Sequence, residues 1–149
     1  MKIYLASEGD LESIARLEKE IFKDFWSLEM IKSQYNLQNS VYIAAKIDEK
    51  IVGYACFTYV CGEAELLRIC VDEKFRRRNI AAKIFEKSEE IFKEKNVCEC
   101  FLEVRAGNEG AIAFYTKNGF EILGRRKGYY TNYNNEDALV MSKKYASEI

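Results

Sequence analysis

The stretch from Leu66 to Phe92 limits what this chain can fold into more than any other. An apolar run (Leu66, Leu67, Ile69, Val71) ends at Asp72, and three arginines follow at 76–78. A helical period then begins, with Ile80, Ile84, Ile91 and Ala81, Phe85, Ser88, Phe92 on one face. Strand, cationic loop and helix start in this order can hold an anion. The first amides of a helix lack intrahelical partners, and the helix dipole adds partial positive charge there. Guanidinium groups suit phosphate, which they bind bidentately. The same run also reads as a solvated arginine cluster, and the local pattern leaves both readings open.

The chain has 149 residues and is read as a single domain, 1–149, with room for a sizeable core. Its net charge of −1 argues against a dedicated nucleic-acid binder, so DNA is not an expected partner. No apolar run approaches the roughly 18 residues that span a bilayer, and the start turns acidic at Glu8, too early for a secretory signal. A cytoplasmic protein without a membrane partner is the expectation.

Histidine is absent, so a Ser-His-Asp or Cys-His nucleophile cannot be built, and any general base must be another group or an activated water. Five cysteines (Cys56, Cys61, Cys70, Cys98, Cys100) form no CxxC pair, and no metal site is expected. They read as reduced, buried small hydrophobes, with Cys98 and Cys100 sharing one face of a strand. Proline is absent too, so turns rest on Gly, Asn and Asp.

Lys2–Ala6 reads as a strand. Asp10 looks like the N-cap of an amphipathic helix carrying Leu11, Ile14, Leu17, Glu18, Ile21 and Phe22. Ser27 would cap a second, short helix. Val41–Ile47, Ile51–Val60 and Ala64–Val71 form a meander turning at Asp48-Glu49-Lys50 and at Gly62. The arginine-loop helix ends at Asn96. Val97–Val104 is a strand, Glu109–Lys117 a helix after Asn108, Phe120–Leu123 a strand, and Glu136–Lys144 the last strand. Gly124–Asn135 between them is a polar, aromatic, basic segment. The order βααβββαβαββ predicts an α/β (α+β) fold, with helices flanking a mixed sheet and a parallel step across the central helix.

Two further stretches bear chemistry. In Leu102-Glu103-Val104-Arg105, Glu103 points opposite to its apolar neighbours. In a cleft, desolvation would bring such a carboxylate toward the pH where a base works best; otherwise Glu103 is simply paired, for instance with Arg105, or solvated. In Asn108-Glu109-Gly110-Ala111-Ile112-Ala113-Phe114-Tyr115, Tyr115 shares a face with Ile112, where an aromatic is either core or catalytic.

Together these pieces resemble the GNAT family of N-acetyltransferases over about residues 3 to 145. The match runs through Ile69-Cys70-Val71-Asp72, Arg76-Arg77-Arg78-Asn79-Ile80-Ala81, Leu102-Glu103-Val104-Arg105, Asn108 to Tyr115, Gly119-Phe120 and Arg125-Arg126 with Tyr129-Tyr130. It is nearest to the branch that acetylates the N-terminal alanine of ribosomal protein S18, which Trp26-Ser27 also fits. The family's loop reads Q/R-x-x-G-x-G/A; Asn79 stands where it has glycine.

The resemblance implies a mixed, mostly antiparallel sheet of about seven strands. It implies acetyl-CoA as cosubstrate, its pyrophosphate on the backbone amides of residues 77 to 82, from Arg77 and Arg78 through Asn79, Ile80 and Ala81 to Ala82. Ile69, Cys70 and Val71 would line the pantetheine arm, and the Val71 N–H would polarise the thioester carbonyl. Glu103 would be the general base, with Glu65 as its rival, and Tyr115 would protonate the departing thiolate. Asn108 would bond the cofactor. Phe22 and Trp26 would face Tyr129 and Tyr130 across the acceptor peptide. Direct attack in a ternary complex needs no covalent enzyme intermediate. The acceptor is a protein N-terminus, that of ribosomal protein S18 or a similar peptide; a small amine, a lysine side chain or a catalytically silent CoA-binding module are the alternatives.

Overall fold

The computed structural model describes residues 1–145. One seven-stranded sheet has the order β1-β2-β3-β4-β5-β7-β6. Its strands are β1 (Lys2–Leu5), β2 (Ser40–Ile47), β3 (Lys50–Val60), β4 (Glu63–Val71), β5 (Glu99–Arg105), β6 (Glu121–Tyr130) and β7 (Glu136–Lys144). Helices α1 (Leu11–Ile21), α2 (Leu28–Tyr35), α3 (Ile80–Glu94) and α4 (Glu109–Lys117) complete it. All strand pairs are antiparallel except β4 with β5, so the sheet is the mixed, mostly antiparallel one expected. Among the described residues no helix is long and apolar enough to cross a membrane.

Strand alternation feeds two cores. Val41, Ile43 and Ala45 of β2 join Ile84, Phe85 and Phe92 of α3 on one face. Tyr42 and Ala44 join Leu11, Ile14 and Leu17 of α1 and Ile31 of α2 on the other. The hairpin turns Asp48-Glu49 and Cys61-Gly62 each hold two positive-φ residues, the twist that two-residue hairpin turns require.

Several local expectations are corrected. Asp10 does not cap α1: its backbone is already helical, and its carboxylate accepts the Ser7 N–H at 2.9 Å. Ser27 does cap α2, accepting the Met30 N–H at 3.2 Å. Cys98 precedes β5 and is exposed, as is Cys61 in its turn, so only Cys56, Cys70 and Cys100 are buried. The strand expected to end at Leu123 instead runs on as β6 to Tyr130, into the polar, aromatic, basic segment. This strand is the sheet's edge and largely exposed, which lets it carry Arg125, Arg126 and Lys127 without burying charge. Tyr129 and Tyr130 therefore end a strand rather than follow one.

The break that matters for function lies between β4 and β5. Their parallel register runs only from Glu63↔Glu99 to Glu65↔Phe101. Beyond it β5 stays paired with β7 as far as Arg105↔Ala138, while β4 follows β3. The change of register from Phe57↔Leu66 to Cys56↔Arg68 leaves Leu67 as an extra residue. Such a bulge bends its strand. The result is a split sheet with an open edge along residues 67–71.

Candidate active site

The Asp72 N–H donates to the Val52 carbonyl at 2.7 Å. Antiparallel pairs alternate, so Val71 and Ile69 turn their N–H and C=O groups away from β3, toward the split. The Val71 carbonyl is taken by Arg76 Nε at 3.3 Å; its N–H faces the same open side. Gly53 sits opposite Val71, and a Cβ there would lie 3.1 Å from the Cys70 carbonyl and 3.3 Å from Val71 Cγ2. A bare α-carbon lets the strands and the start of α3 close up at this point.

Asp72 holds the next turn by accepting the Lys74 N–H at 3.0 Å. Arg77 and Asn79 then adopt left-handed backbone, with φ of 68° and 58°. Asn tolerates this conformation better than most residues, which accounts for its standing at a glycine position. Asn79 makes no side-chain cap to α3. The first bond of α3 runs from the Lys83 N–H to the Asn79 carbonyl, leaving the amides of Ile80, Ala81 and Ala82 without intrahelical partners. No acidic residue occupies that turn.

A cavity of about 430 Å³ lies over these amides and the β4 edge. Ile69, Cys70, Val71, Arg76, Arg77 and Asn79 line it from the strand and loop. Ile80, Ala81 and Ala82 line it from the helix start, with Phe114 and Tyr115 opposite. Arg78 lies outside the lining and places its guanidinium 5.1 Å from the centre of the Phe75 ring.

A second cavity, about 400 Å³, opens on the other side of the split. Phe22, Asp24 and Trp26 form one wall and Tyr129, Tyr130 and Tyr133 the other, over a floor with Glu65, Arg68, Glu103 and Arg105. Ile69, Ala111 and Tyr115 line both cavities, so the two meet there. Asn108 lines this cleft, not the loop cavity, and caps α4 by accepting the Ala111 N–H at 3.2 Å. Glu65 and Glu103 also border a third hollow, about 370 Å³, that continues the cleft over the sheet.

Glu103 pairs with Arg126, at 3.0 Å, and not with Arg105, which bonds Glu136 at 3.1 Å. Its other oxygen, Oε2, is buried with no hydrogen-bond partner among the described residues. The carboxylate holds the facing Tyr129 hydroxyl above the usual phenol range. Burial pushes the Tyr115 phenol up to about 12, with the nearby Tyr130 adding to it. Tyr115 thus keeps its proton throughout the neutral range.

Reading the sequence missed the group that fixes the aromatic wall. Glu18, fully buried on α1, accepts from the Tyr54 hydroxyl, from Arg68 Nε and Nη2 at 3.0 and 2.9 Å, and from the Trp26 N–H at 3.0 Å. A glutamate on the apolar face of α1, between Ile14 and Phe22, was the available signal.

These two cavities meeting at a split sheet are set in a chain that belongs to the acetyltransferase (GNAT) family: the family's profile matches residues 11–120. It is an N-acetyltransferase. The chain is 32% identical, over 94% of its length and 95% of the relative's, to the [ribosomal protein bS18]-alanine N-acetyltransferase of Salmonella typhimurium. Its fold superposes with a TM-score of 0.91 on the crystal structure of the ribosomal-protein-S18-alanine N-acetyltransferase of Escherichia coli, at 26% identity and covering 99% and 96% of the two chains. The PaiA N-acetyltransferase of Thermoplasma acidophilum, solved in complex with coenzyme A, is 25% identical, with a TM-score of 0.73 over 97% and 98% of the chains.

Proposed function

We propose that this single N-acetyltransferase domain transfers the acetyl group of acetyl-CoA to the α-amine of a protein N-terminus, that of ribosomal protein S18 or a similar peptide, in the cytoplasm. The observation that carries this reading is the junction at Tyr115: one side chain borders both an anion-suited loop cavity and a carboxylate-bearing cleft. The names of the relatives supply the acceptor class.

The loop cavity fits acetyl-CoA on its own chemistry. Unpaired amides of residues 80–82, the left-handed residues 77 and 79 and the Arg76 and Arg77 side chains suit a pyrophosphate. The open edge of β4 offers alternate backbone groups to the amides of a pantetheine arm, in the manner of an added strand. The thioester supplies an activated acetyl group.

The rest falls to side chains. Glu103 takes in turn the two protons that the α-ammonium loses on its way to an amide, one before attack and one as the C–S bond breaks, and passes each to solvent; the reference pKa of such an amine is about 7.7–8.0, so the first removal is mild. Glu65 stands on the same floor but on the exposed part of β4, and Glu103 carries the buried, unsatisfied oxygen. The Val71 N–H, turned to the split, meets negative charge developing on the carbonyl oxygen. Tyr115 gives its proton to the leaving thiolate and is recharged from solvent. Phe22, Trp26, Tyr129 and Tyr130 hold the peptide between them.

The test is acetylation of peptides followed by mass spectrometry. An alanine-led peptide with a free α-amine gains one acetyl group; the same peptide with a blocked N-terminus and an internal lysine gains none. Acetylation of the blocked peptide at an equal rate would move the acceptor to the lysine side chain.

A further inference from the structure

Arg68 occupies a place that catalysis as described does not use. It directly precedes Ile69, which borders both cavities. Its guanidinium makes the two-point pair with buried Glu18 and donates a further bond to the Asp24 carbonyl at 3.0 Å. The same group lies 4.0 Å from the centre of the Phe22 ring and 5.3 Å from that of Trp26. Glu18 meanwhile accepts the Trp26 backbone amide and the Tyr54 hydroxyl. The connection between α1 and α2 is thus tied to β4 at three residues, 22, 24 and 26, through one ion pair.

Burying a charge pair is costly, and apolar residues could join the same elements at less expense. What the pair adds is direction. A planar guanidinium bonded along two edges fixes the rings stacked on it, as a flexible ammonium or a methyl group would not. Its anchor on the strand that also carries Ile69 and Val71 keeps the wall in register with the split.

We infer that Arg68, locked by Glu18, is a positioning residue for acceptor recognition: it sets the Phe22–Trp26 wall against which the peptide's first residues lie. This rests on the second cavity being the acceptor cleft. Arg68 and Glu18 act on the peptide through the wall, and the loop cavity is independent of them.

Trp26 is the only tryptophan in the chain, so its fluorescence reads the wall directly. The experiment compares the wild-type protein with Glu18→Gln, nearly isosteric, and Arg68→Lys, which keeps the charge but loses the planar two-point fork. Loss of one charge-assisted contact predicts an acceptor-peptide KM raised roughly tenfold, with kcat and the acetyl-CoA Kd within about twofold of wild type. Trp26 becomes more accessible to acrylamide quenching in both variants. Tyr54→Phe, which keeps the ion pair, shifts both readouts in the same direction but less. Unchanged quenching and unchanged acceptor KM in folded variants overturn the inference. So does a parallel loss of acetyl-CoA affinity, which would mark general loosening. If no peptide is acetylated even by wild type, the acceptor reading fails, whereas the quenching result still decides whether the pair sets the wall. Should neither charge variant fold, Tyr54→Phe decides by the same two readouts.

Discussion

The two cavities that meet at Tyr115 are built from different materials. The loop cavity is made mostly of backbone: helix amides, a strand edge and a left-handed turn within one continuous stretch from Ile69 to Ala82. The cleft is made of side chains from five separated segments, and its central ion pair joins residues 50 apart in sequence. A site of backbone tolerates substitution as long as the backbone path survives. A site of side chains changes whenever one of them does. One enzyme can therefore hold a constant ligand on one side while its relatives diverge in what they accept on the other.

The contrast is open to attack at several points. Glu103→Gln keeps the shape of the cleft but removes the proposed base, so kcat should fall by about 10²–10⁴-fold. Acetyl-CoA binding by calorimetry should stay within about twofold of wild type, because Glu103 is not among the residues lining the loop cavity. A matching loss of cofactor affinity would mean that the two halves are not separable.

Glu18→Ala strands Arg68 and the Tyr54 hydroxyl inside the fold. Breaking a buried pair from one side costs about 3–5 kcal/mol, so the urea midpoint should drop sharply. Truncating Arg76, on the other side, should leave stability within about 0.5 kcal/mol.

Alkali should act on the buried phenols. Tyr115 and Tyr130 are pushed up to about 12, mainly by burial. Their folded values lie above the usual value of about 10, so the folded chain holds protons that the unfolded chain releases. This contribution to stability is complete below pH 10 and is lost as pH rises toward 12. Urea midpoints at pH 8 and pH 11 should fall in that order, and any alkaline limb of kcat below pH 10 should come from a group other than Tyr115.

The smallest effects belong to the loop. Asn79→Gly fits the left-handed backbone without strain and should shift stability by less than about 1 kcal/mol; Asn79→Val, β-branched at positive φ, should cost about 1–2 kcal/mol. Arg76→Ala should weaken acetyl-CoA binding only a few-fold, by about 1 kcal/mol, since the amides remain. A hundredfold loss would move the weight from backbone to guanidinium.

The same difference in material decided what could be read from the sequence. The loop cavity lies in one stretch, where strand, turn and helix start are local patterns, so the path from Val71 to Ala82 was legible, with Asn79 marked as standing at a glycine position. Glu103 and Tyr115 were visible as a carboxylate in an apolar strand and a tyrosine in a motif. Their shared position depends on β5 parting from β4, which no local pattern records. The length of β6 was misread because its charged residues resemble a loop; only its place at the sheet edge makes them compatible with a strand. The Glu18–Arg68 pair was hidden for a related reason. Each residue looks like an ordinary charge until tertiary packing buries one against the other.

The measurement that bears most directly on the account is a calorimetric titration of acetyl-CoA into the folded wild-type protein, repeated with Glu103→Gln. The backbone cradle with Asn79 at its turn predicts saturable one-site binding of equal strength in both proteins. Absence of binding at millimolar acetyl-CoA, with the protein folded by circular dichroism, would contradict it.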